Sequence, residues 1–154
     1  MPVLNGEKHL GEAIDSILEQ SFGDFEFIII NDSSTDNTEQ IIKSYSDSRI
    51  LYIKNISNLG LAKSFNIGIR AAQGKFIARM DADDISVKTR FEKQVNFLSQ
   101  NKDIGIIGSN VILTDRNGKR FKNHSRPTSH TDIKWASLFS TPLIHPSVMG
   151  RAQI

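Results

Sequence analysis

Three carboxylates follow a short apolar run near the middle of this chain. Residues 76–80 read Phe-Ile-Ala-Arg-Met, which predicts a buried strand, and Asp81, Asp83 and Asp84 come directly after it. Side chains alternate along a strand, so we expect Asp81 and Asp83 to project to the same side. Two carboxylates held that close repel each other unless a cation neutralises them. Because Mg²⁺ and Mn²⁺ take oxygen ligands and share them with a diphosphate, the pattern predicts a divalent metal and phosphate site.

The same acids have a second interpretation, an acidic turn that caps the following helix with Asp84 or Ser86 at the N-cap position. The Asp-x-Asp pattern is common, and taken alone it favours this structural role. Its position after a buried strand favours the metal and phosphate site instead, because ligands of open α/β sheets bind beyond the carboxyl ends of the strands.

The composition describes one ordinary globular domain. A length of 154 residues, with 38% apolar and 23% charged residues, suits a single domain with its own core. The net charge of +2 and the scattered Lys and Arg residues argue against a nucleic-acid partner. The sequence contains no cysteine, which excludes disulfides and thiolate chemistry. No apolar run reaches the ~18–20 residues that a membrane-spanning helix needs.

Hydrophobic periodicity predicts strands and helices in alternation. We expect helices at residues 8–20, 36–45, 61–72, 87–100 and 133–139, and strands at 25–30, 50–53, 75–80, 104–113 and 144–149. Asp115 to Gly118 is a hairpin-type turn, so residues 119–122 are expected to pair antiparallel with the strand before them. Trp135 is expected in the core. The fold class that follows is α/β, a doubly wound and mostly parallel sheet with helices on both faces.

Short segments along the whole chain form an ordered set of motifs. They are Pro2-Val3-Leu4-Asn5-Gly6, residues 13–22, residues 24–36, Asn58-Leu59-Gly60-Leu61-Ala62, Asn66-Ile67-Gly68, Ala72-x-Gly74, Asp81-Ala82-Asp83-Asp84 and His145-Pro146-Ser147-Val148-Met149. In order and spacing they resemble the family 2 glycosyltransferases of the GT-A fold, a Rossmann-like fold of nucleotide-diphospho-sugar transferases. The resemblance implies transfer of a sugar from a nucleotide-diphosphate donor, expected to be a UDP sugar, to a saccharide or lipid-linked acceptor. It also implies inversion at the anomeric carbon and Mg²⁺ or Mn²⁺ as the cofactor.

The resemblance assigns the nucleoside of the donor to the N-terminal half of the chain. Four residues would lie along it: Pro2, Val3, Leu4 and Asn5. Asp32 would accept a hydrogen bond from the base, although without the family an Asx-type turn is the simpler interpretation. Asn58 would close the nucleotide side of the pocket, and capping of the helix at 61–72 explains it about as well.

The resemblance makes Asp83 the direct metal ligand and places Asp81 nearer the ribose, as the second residue of the metal motif. The cation would neutralise the diphosphate so that the nucleoside diphosphate can leave. His145 would line the diphosphate and acceptor region. The alternative for His145 is a structural role, since a His before Pro is more often a turn residue.

The sequence departs from the family pattern in three respects. The apolar strand expected before Pro2 is nearly absent, so we expect a single domain, residues 1–154, that lacks most of the first strand. Either the sheet is rearranged, another copy of the chain covers the exposed edge that results, or the sequence starts late within a longer protein. Leu4 stands where many relatives carry an aromatic residue, and Ser33 stands where they carry Gly. No residue matches the carboxylate general base of inverting members, which lies downstream of the His145 motif in an acceptor region that this domain lacks, so none is assigned.

Two alternatives to a transferase stay open. A non-catalytic module that binds a nucleotide sugar and a metal would need no general base. A receiver-like signalling domain also has acids at strand ends, but it needs a late lysine, and nothing after Lys134 supplies one. Family resemblance further suggests a cytoplasmic protein that works on cell-envelope saccharides, peripheral to the inner face of the membrane.

Overall fold

Strands and helices alternate along the computed structural model, which describes residues 1–115 and 118–152. The strands are β1 (Pro2–Val3), β2 (Phe27–Asn31), β3 (Ile50–Lys54), β4 (Phe76–Ala78), β5 (Ile106–Ile107), β6 (Val111–Thr114), β7 (Arg120–His124) and β8 (Met149–Arg151). The helices are α1 (Leu10–Leu18), α2 (Thr38–Lys43), α3 (Leu61–Ala71), α4 (Arg90–Gln100) and α5 (His130–Ala136). Most of these bounds lie within a few residues of those that the periodicity predicts.

β1, β2 and β3 form a parallel sheet with β2 in the centre. β2 reads Phe-Ile-Ile-Ile-Asn, and most of its side chains are buried, as a continuous β-branched run predicts. The register pairs Pro2 with Ile30 and Phe27 with Ile50. Parallel strands joined by helices confirm the predicted α/β fold class.

The second sheet, in the order β4–β8–β5, is antiparallel, whereas the sequence predicts a mostly parallel one. β8 lies in its centre and runs against both neighbours. The strand predicted at 144–149 is wrong in its first part. Pro146 has no amide hydrogen to give to a sheet, and His145–Ser147 form a 3-10 turn instead. The strand begins only at Met149.

The core is built on α1, the parallel sheet and α4. α1 buries the face that its periodicity predicts, which consists of Leu10, Ala13, Ile14 and Ile17. α4 contributes Phe91 and Leu98 from the other side. The rings of Phe25 and Phe91 pack edge to face, with centroids 5.4 Å apart. These contacts fix the end of α1 and the start of α4, which flank the acidic segment.

β1 is short, and the cavity ahead of it separates the two sheets. Met1 prolongs the pairing of β1: its nitrogen donates to Ile28 O over 2.8 Å, and its carbonyl accepts from Ile30 N over 2.9 Å. A cavity of about 1240 Å³ lies between β2, β4 and α3. Its lining is mainly apolar and includes Phe27 and Phe76. Cover of this region by another copy stays a prediction.

Beyond α4 the chain forms a hairpin and a short helix. The strand predicted at 104–113 is divided into β5 and β6. β6 and β7 pair antiparallel, which confirms the predicted hairpin, and the turn residues 116 and 117 lie outside the described residues. Trp135 in α5 is 62% exposed, so its predicted place in the core is wrong, because α5 buries none of its residues. In the described part of the chain no helix is both long and apolar enough to cross a membrane.

Candidate functional site

The loops that follow β1 and β2 are joined into one unit at the carboxyl end of the parallel sheet. Asn5 N donates to Ser34 Oγ over 2.9 Å, and Thr35 N donates back to Asn5 Oδ1 over 2.9 Å. Gly6 N donates to Thr38 Oγ1 over 2.8 Å. Asn5 holds the left-handed conformation, φ 52°, which asparagine tolerates better than most residues. The side chain of Asn5 therefore fastens the loop after β2.

The four residues expected along the nucleoside differ in what they can offer. Pro2 and Val3 are buried in β1, so only their backbone can contribute to a ligand site. Leu4 is 47% exposed, and its side chain offers an apolar contact but no aromatic stacking. Asn5 is exposed, but its amide oxygen already serves Thr35.

Asp32 is a buried carboxylate that receives hydrogen bonds from its own chain. Its residue surface is 3% exposed. Oδ1 accepts from Asn55 Nδ2 over 2.7 Å and from Leu59 N over 2.9 Å, and Oδ2 accepts from Gly60 N over 2.9 Å. Burial works against the charge, but these hydrogen bonds outweigh it and lower the pKa of Asp32 below its usual value. The carboxylate is therefore ionised and holds the segment that leads into α3.

Asn55 and Ser64 also belong to this network, and no sequence motif indicates either of them. Asn55 donates to Asp32 and also to Ser64 Oγ over 3.0 Å, and both Asn55 and Ser64 are buried. A polar residue just after a strand is usually interpreted as exposed, so only the burial identifies Asn55.

Asn58 is exposed, and its Oδ1 accepts from Gly60 N over 3.0 Å, one residue before α3 begins. This contact is a local turn ahead of α3 and not a helix cap, because the N-cap residue is Gly60 and it makes no side-chain cap hydrogen bond.

The three acids lie on a turn. β4 ends at Ala78, and Asp84 N donates to Asp81 O over 3.4 Å. The extended arrangement expected for Asp81 and Asp83 is therefore wrong, because the chain leaves the strand before it reaches them. Asp83 is exposed, whereas Asp81 and Asp84 are half-buried. Burial raises the pKa of Asp84, and the charges of Asp83 and Asp81 raise it further against the opposing charge of Arg90.

This acidic turn lies against the loop after β1. A Cβ atom built on Gly6 would lie 4.0 Å from Ala82 Cβ and only 2.5 Å from Val3 Cγ2. Glycine is therefore required at position 6, because any side chain there would overlap Val3. The close approach brings Asp81 to Asp84 next to the unit that carries Leu4 and Asn5.

Arg79 and Arg90 surround the acidic turn, and the motifs indicate neither of them. Arg79 Nη2 lies 3.3 Å from Asp81 Oδ1, and the guanidinium stacks 4.2 Å from the centre of the Phe65 ring. Arg90 Nη1 donates to Arg79 O over 3.2 Å and to Pro146 O over 2.6 Å. Burial lowers the pKa of Arg90 to about 10. Arg90 thus links the end of β4 to the segment that carries His145.

His145 lies on the 3-10 turn and is exposed. It borders a hollow of about 330 Å³, together with His124 and Arg126. This hollow lies on the side of the β6–β7 hairpin. The structure therefore attaches the backbone of the His145 segment through Arg90 to Arg79, two residues before the acidic turn, while His145 itself borders the hollow beside the hairpin.

The donor set fits a divalent cation that completes its coordination with a diphosphate. Among residues 1–115 and 118–152 there is no group of three or more His, Cys, Asp or Glu side chains that could hold a metal on its own. Mg²⁺ typically uses one or two carboxylates, substrate phosphates and water, and Asp81 and Asp83 are the carboxylates of the acidic turn that would serve as its protein ligands. The capping alternative is wrong, because α4 begins at Arg90 after Thr89 and not after Asp84 or Ser86.

The fold is that of solved nucleotide-sugar transferases. S. aureus TarS, residues 1–349, superposes with a TM-score of 0.73 and 24% identity over 98% of this chain and 45% of that chain. TarS has also been solved in complex with UDP and with UDP-GlcNAc. The mannosyltransferase PcManGT from Pyrobaculum calidifontis, in complex with GDP-Man and Mn²⁺, gives a TM-score of 0.64 and 21% identity over 74% of this chain and 34% of that chain. At these identities the likeness establishes the fold, which is GT-A.

The sequence matches the glycosyl transferase family 2 over residues 1–151, and the chain belongs to this family. An uncharacterised glycosyltransferase of Methanocaldococcus jannaschii is 40% identical over 153 residues, 96% of this chain and 52% of that protein. An uncharacterised glycosyltransferase of Haemophilus influenzae is 38% identical over 160 residues, 97% of this chain and 50% of that protein. The chain therefore spans about half the length of the curated relatives it matches.

Proposed function

We propose that this chain binds a nucleotide-diphosphate sugar with a divalent cation, and that the protein transfers the sugar with inversion to a saccharide or lipid-linked acceptor. The observation that carries the proposal is the contact of the acidic turn with the loop after β1. It brings the exposed Leu4, the ionised Asp32 and the carboxylates of Asp81 and Asp83 to the carboxyl edge of the parallel sheet. Family membership supports the reaction class.

A uridine nucleotide is the donor we propose. TarS, which has been solved with UDP and UDP-GlcNAc, matches 98% of this chain, whereas PcManGT, which has been solved with GDP-Man, matches 74%. A uracil imide is a single donor flanked by two carbonyls, and an ionised carboxylate is its natural acceptor. Asp32 is ionised, and it would accept from the base in addition to the hydrogen bonds that it takes from Asn55, Leu59 N, Gly60 N and Ser64.

The residues of the acidic turn would hold the cation and the diphosphate. Asp83 is the most exposed of the three acids and would be the direct ligand, with Asp81 next to it, nearer the ribose. A bound Mg²⁺ or Mn²⁺ would offset the charge of the leaving nucleoside diphosphate. Arg79 already pairs with Asp81, so it would orient that carboxylate and add positive charge beside the diphosphate.

Calorimetric titration with UDP, with and without Mn²⁺, tests the proposal. We expect Mn²⁺ to strengthen UDP binding, and Asp83→Asn to remove most of that gain, at least about tenfold in Kd, because a direct ligand is lost. Asp103→Asn, an exposed acid after α4, is the matched control and should bind like the parent chain. Titrations with GDP and dTDP identify the base.

The assignment of the cation site would be contradicted if Mn²⁺ does not change UDP binding, or if the Asp83→Asn variant keeps the full effect of Mn²⁺ on UDP binding. A folded chain that binds none of the three nucleotides would contradict the donor-site proposal altogether. If the donor binds but is not consumed when saccharide or lipid-linked acceptors are supplied, the chain acts as the non-catalytic module instead.

A further inference from the structure

Three basic side chains meet at the hollow beside the β6–β7 hairpin. His124, Arg126 and His145 border this space of about 330 Å³. The other residues that border it are apolar apart from one hydroxyl: Val111, Leu113, Thr141, Leu143 and Ile144. Among the described residues, no carboxylate therefore lines the hollow.

The guanidinium of Arg126 has a donor that the protein leaves without an acceptor. Arg126 Nε is buried, and in the part of the chain that the structure describes no group accepts a hydrogen bond from it. The backbone holds Arg126 instead, because its amide nitrogen donates to Asn110 Oδ1 over 3.2 Å. Arg79 and Arg90 also have buried nitrogens without partners, but their guanidinium groups already contact a carboxylate or two carbonyls. Since a buried donor nearly always has a partner, Arg126 indicates an acceptor from outside the chain.

The three basic groups favour an anion over a metal ion. Two histidines can together bind a transition metal, but a guanidinium beside them repels any cation and cannot give up its proton. Residues 118–131, which include β7, contain four Lys or Arg and no Asp or Glu, so the local field also attracts anions.

The number of donors favours a phosphate over a carboxylate. One guanidinium fork already matches the two oxygens of a carboxylate. A phosphate has enough oxygens to accept from the guanidinium of Arg126 and from the imidazoles of His124 and His145 together. The donor set is therefore that of a phosphate site.

Arg90 joins the hollow to the acidic turn. Arg90 Nη1 donates to Pro146 O over 2.6 Å and to Arg79 O over 3.2 Å. Pro146 follows His145 directly, and Arg79 stands two residues before Asp81. None of the residues proposed to bind the nucleoside borders the hollow, so it stays available to a second substrate.

We propose that the hollow binds a phosphate group carried by the acceptor, so that the protein selects a phosphorylated acceptor. Arg126 would donate from its fork to two phosphate oxygens, and His124 and His145 would donate through their imidazole N–H groups. The phosphate site depends only on these residues, whereas its assignment to the acceptor rests on the proposed transferase function.

Titration of the metal-free chain with inorganic phosphate tests the site, with the imidazole NMR signals followed at constant pH and ionic strength. We expect the signals of His124 and His145 to shift along one saturable curve. The signals of His9 and His130, which do not border the hollow, should stay in place. Asp83→Asn should give the same curve, because the acidic turn repels phosphate when no cation is bound.

Arg126→Gln should weaken phosphate binding at least about tenfold, because it removes the charge-assisted hydrogen bonds. Arg126→Lys keeps the charge without the fork and should recover only part of the affinity. Arg70→Gln, on the exposed end of α3, removes the same charge elsewhere and should bind like the parent chain. Phosphate should raise the urea midpoint of the parent chain and leave that of Arg126→Gln unchanged. His124→Gln is a second variant and should also weaken binding.

Glucose 1-phosphate, geranyl phosphate and acetate identify the class of compound that carries the anionic group. Tighter binding of glucose 1-phosphate indicates a sugar phosphate, and tighter binding of geranyl phosphate indicates a lipid phosphate that uses the apolar lining. Both results support the proposal. Titration of Arg126→Gln with UDP and Mn²⁺ should match the parent chain, which separates the hollow from the donor site.

The phosphate site is overturned if the His124 and His145 signals do not shift, or if Arg126→Gln retains the shift, because water then satisfies the Arg126 donor. Acetate that binds as tightly as phosphate would overturn it in favour of a carboxylate. If UDP binds with Mn²⁺ and phosphate does not bind, only the phosphate site fails. If phosphate binds and UDP does not, the proposed function fails, and the assignment of the phosphate to an acceptor falls with it.

Discussion

Asp32 performs a structural role, and the proposed donor site would give the same carboxylate a recognition role as well. Its hydrogen bonds from Asn55, Leu59 N and Gly60 N fasten the entry to α3 onto the end of β2. The same bonds keep it ionised although it is buried. In the proposed donor site, the base would therefore meet a fixed negative acceptor that needs no reorganisation. Replacement of Asp32 would loosen the loop and remove the acceptor together, so its two roles cannot be separated by one substitution.

Ser33 is strained in a way that glycine would relieve. Its φ of 66° lies in the left-handed region, which costs a residue with a side chain about 1 kcal/mol or more. We expect Ser33→Gly to raise the free energy of unfolding by up to about 1 kcal/mol. The greater conformational entropy of glycine in the unfolded chain offsets part of this gain. The urea midpoint measures the change.

Gly60→Ala is the matched reverse substitution. Gly60 has a φ of 83°, and a Cβ atom there would meet no other atom within 4 Å, so only the backbone conformation opposes alanine. This variant should lose about 1 kcal/mol or more. Equal midpoints for the two variants would mean that these loops relax freely and that the positive angles store no strain.

The elements around the acidic turn are joined by buried polar side chains more than by apolar ones. Gln20, at the end of α1, is 6% exposed. Its Nε2 donates to Ser16 O, Ser86 Oγ and Val87 O over 3.0, 3.2 and 3.0 Å, and its Oε1 accepts from Phe91 N over 3.0 Å. Gln20 therefore holds both sides of the connection between the acidic turn and α4.

Gln20→Met keeps the volume of the side chain and removes these hydrogen bonds. Phe91 N would stay buried without its acceptor, whereas Val87 O keeps its hydrogen bond from Arg90 N, so we expect a loss of about 1–3 kcal/mol in the free energy of unfolding. Gln100→Met, on the exposed end of α4, should change it by less than about 0.5 kcal/mol. The urea midpoints of Gln20→Met and Gln100→Met measure this difference in stability. A Gln20 variant as stable as its control would show that water replaces the side chain and that the network has little energetic weight.

α2 and β3 are joined at the surface by an ion pair that should respond to pH. Glu39 contacts Lys43 Nζ at 2.7 Å and also pairs with Lys54, and the hydrogen bonds from these two lysines lower the pKa of Glu39 to about 2. A lowered folded-state pKa means that this stabilisation is present above the unfolded value and is lost as the pH falls through the folded one.

We therefore expect part of the acid destabilisation between pH about 4.5 and about 2 to come from Glu39, and Glu39→Gln to reduce the slope of stability against pH there. The effect should be small and should shrink with added salt, since the pair is exposed. Urea midpoints across this pH range measure it, with Glu19→Gln, an exposed acid after α1, as the control. The same slope in both variants would show that Glu39 does not contribute.

The sequence predicts the elements of this fold better than their arrangement. α1 is found where the apolar spacing places it, because one buried face repeats every turn. β8 could not be foreseen as an antiparallel strand between β4 and β5, because its partners are set by tertiary packing between segments distant in the chain. The acids of the site are visible as a motif. Asn55, Arg79 and Arg90 are not, since their roles depend on burial and on contacts between separate elements.

The whole molecule is organised around the gap between its two sheets. β1 pairs with β2 over two residues, and β4 is an edge strand of the other sheet. The cavity between the two sheets has room for an extended segment, since residues of β2, β4 and α3 line it. Since Pro2 lies opposite Ile30, residues placed before Met1 in the same register would lie opposite residues 25–28.

An extension of four apolar, β-branched residues ahead of Met1 should therefore enter the cavity and lengthen β1. Each buried side chain would contribute about 1.5–3 kcal/mol against about 1–2 kcal/mol for ordering its backbone, so the net gain should be a few kcal/mol. The urea midpoint and the m-value should both rise, since more surface is buried in the folded state. An extension of four alternating Gly and Ser residues is the control and should change neither. If both extensions behave alike, the two sheets close over the gap in solution, and the donor-site loops at the carboxyl edge of β1 are held by their hydrogen bonds alone.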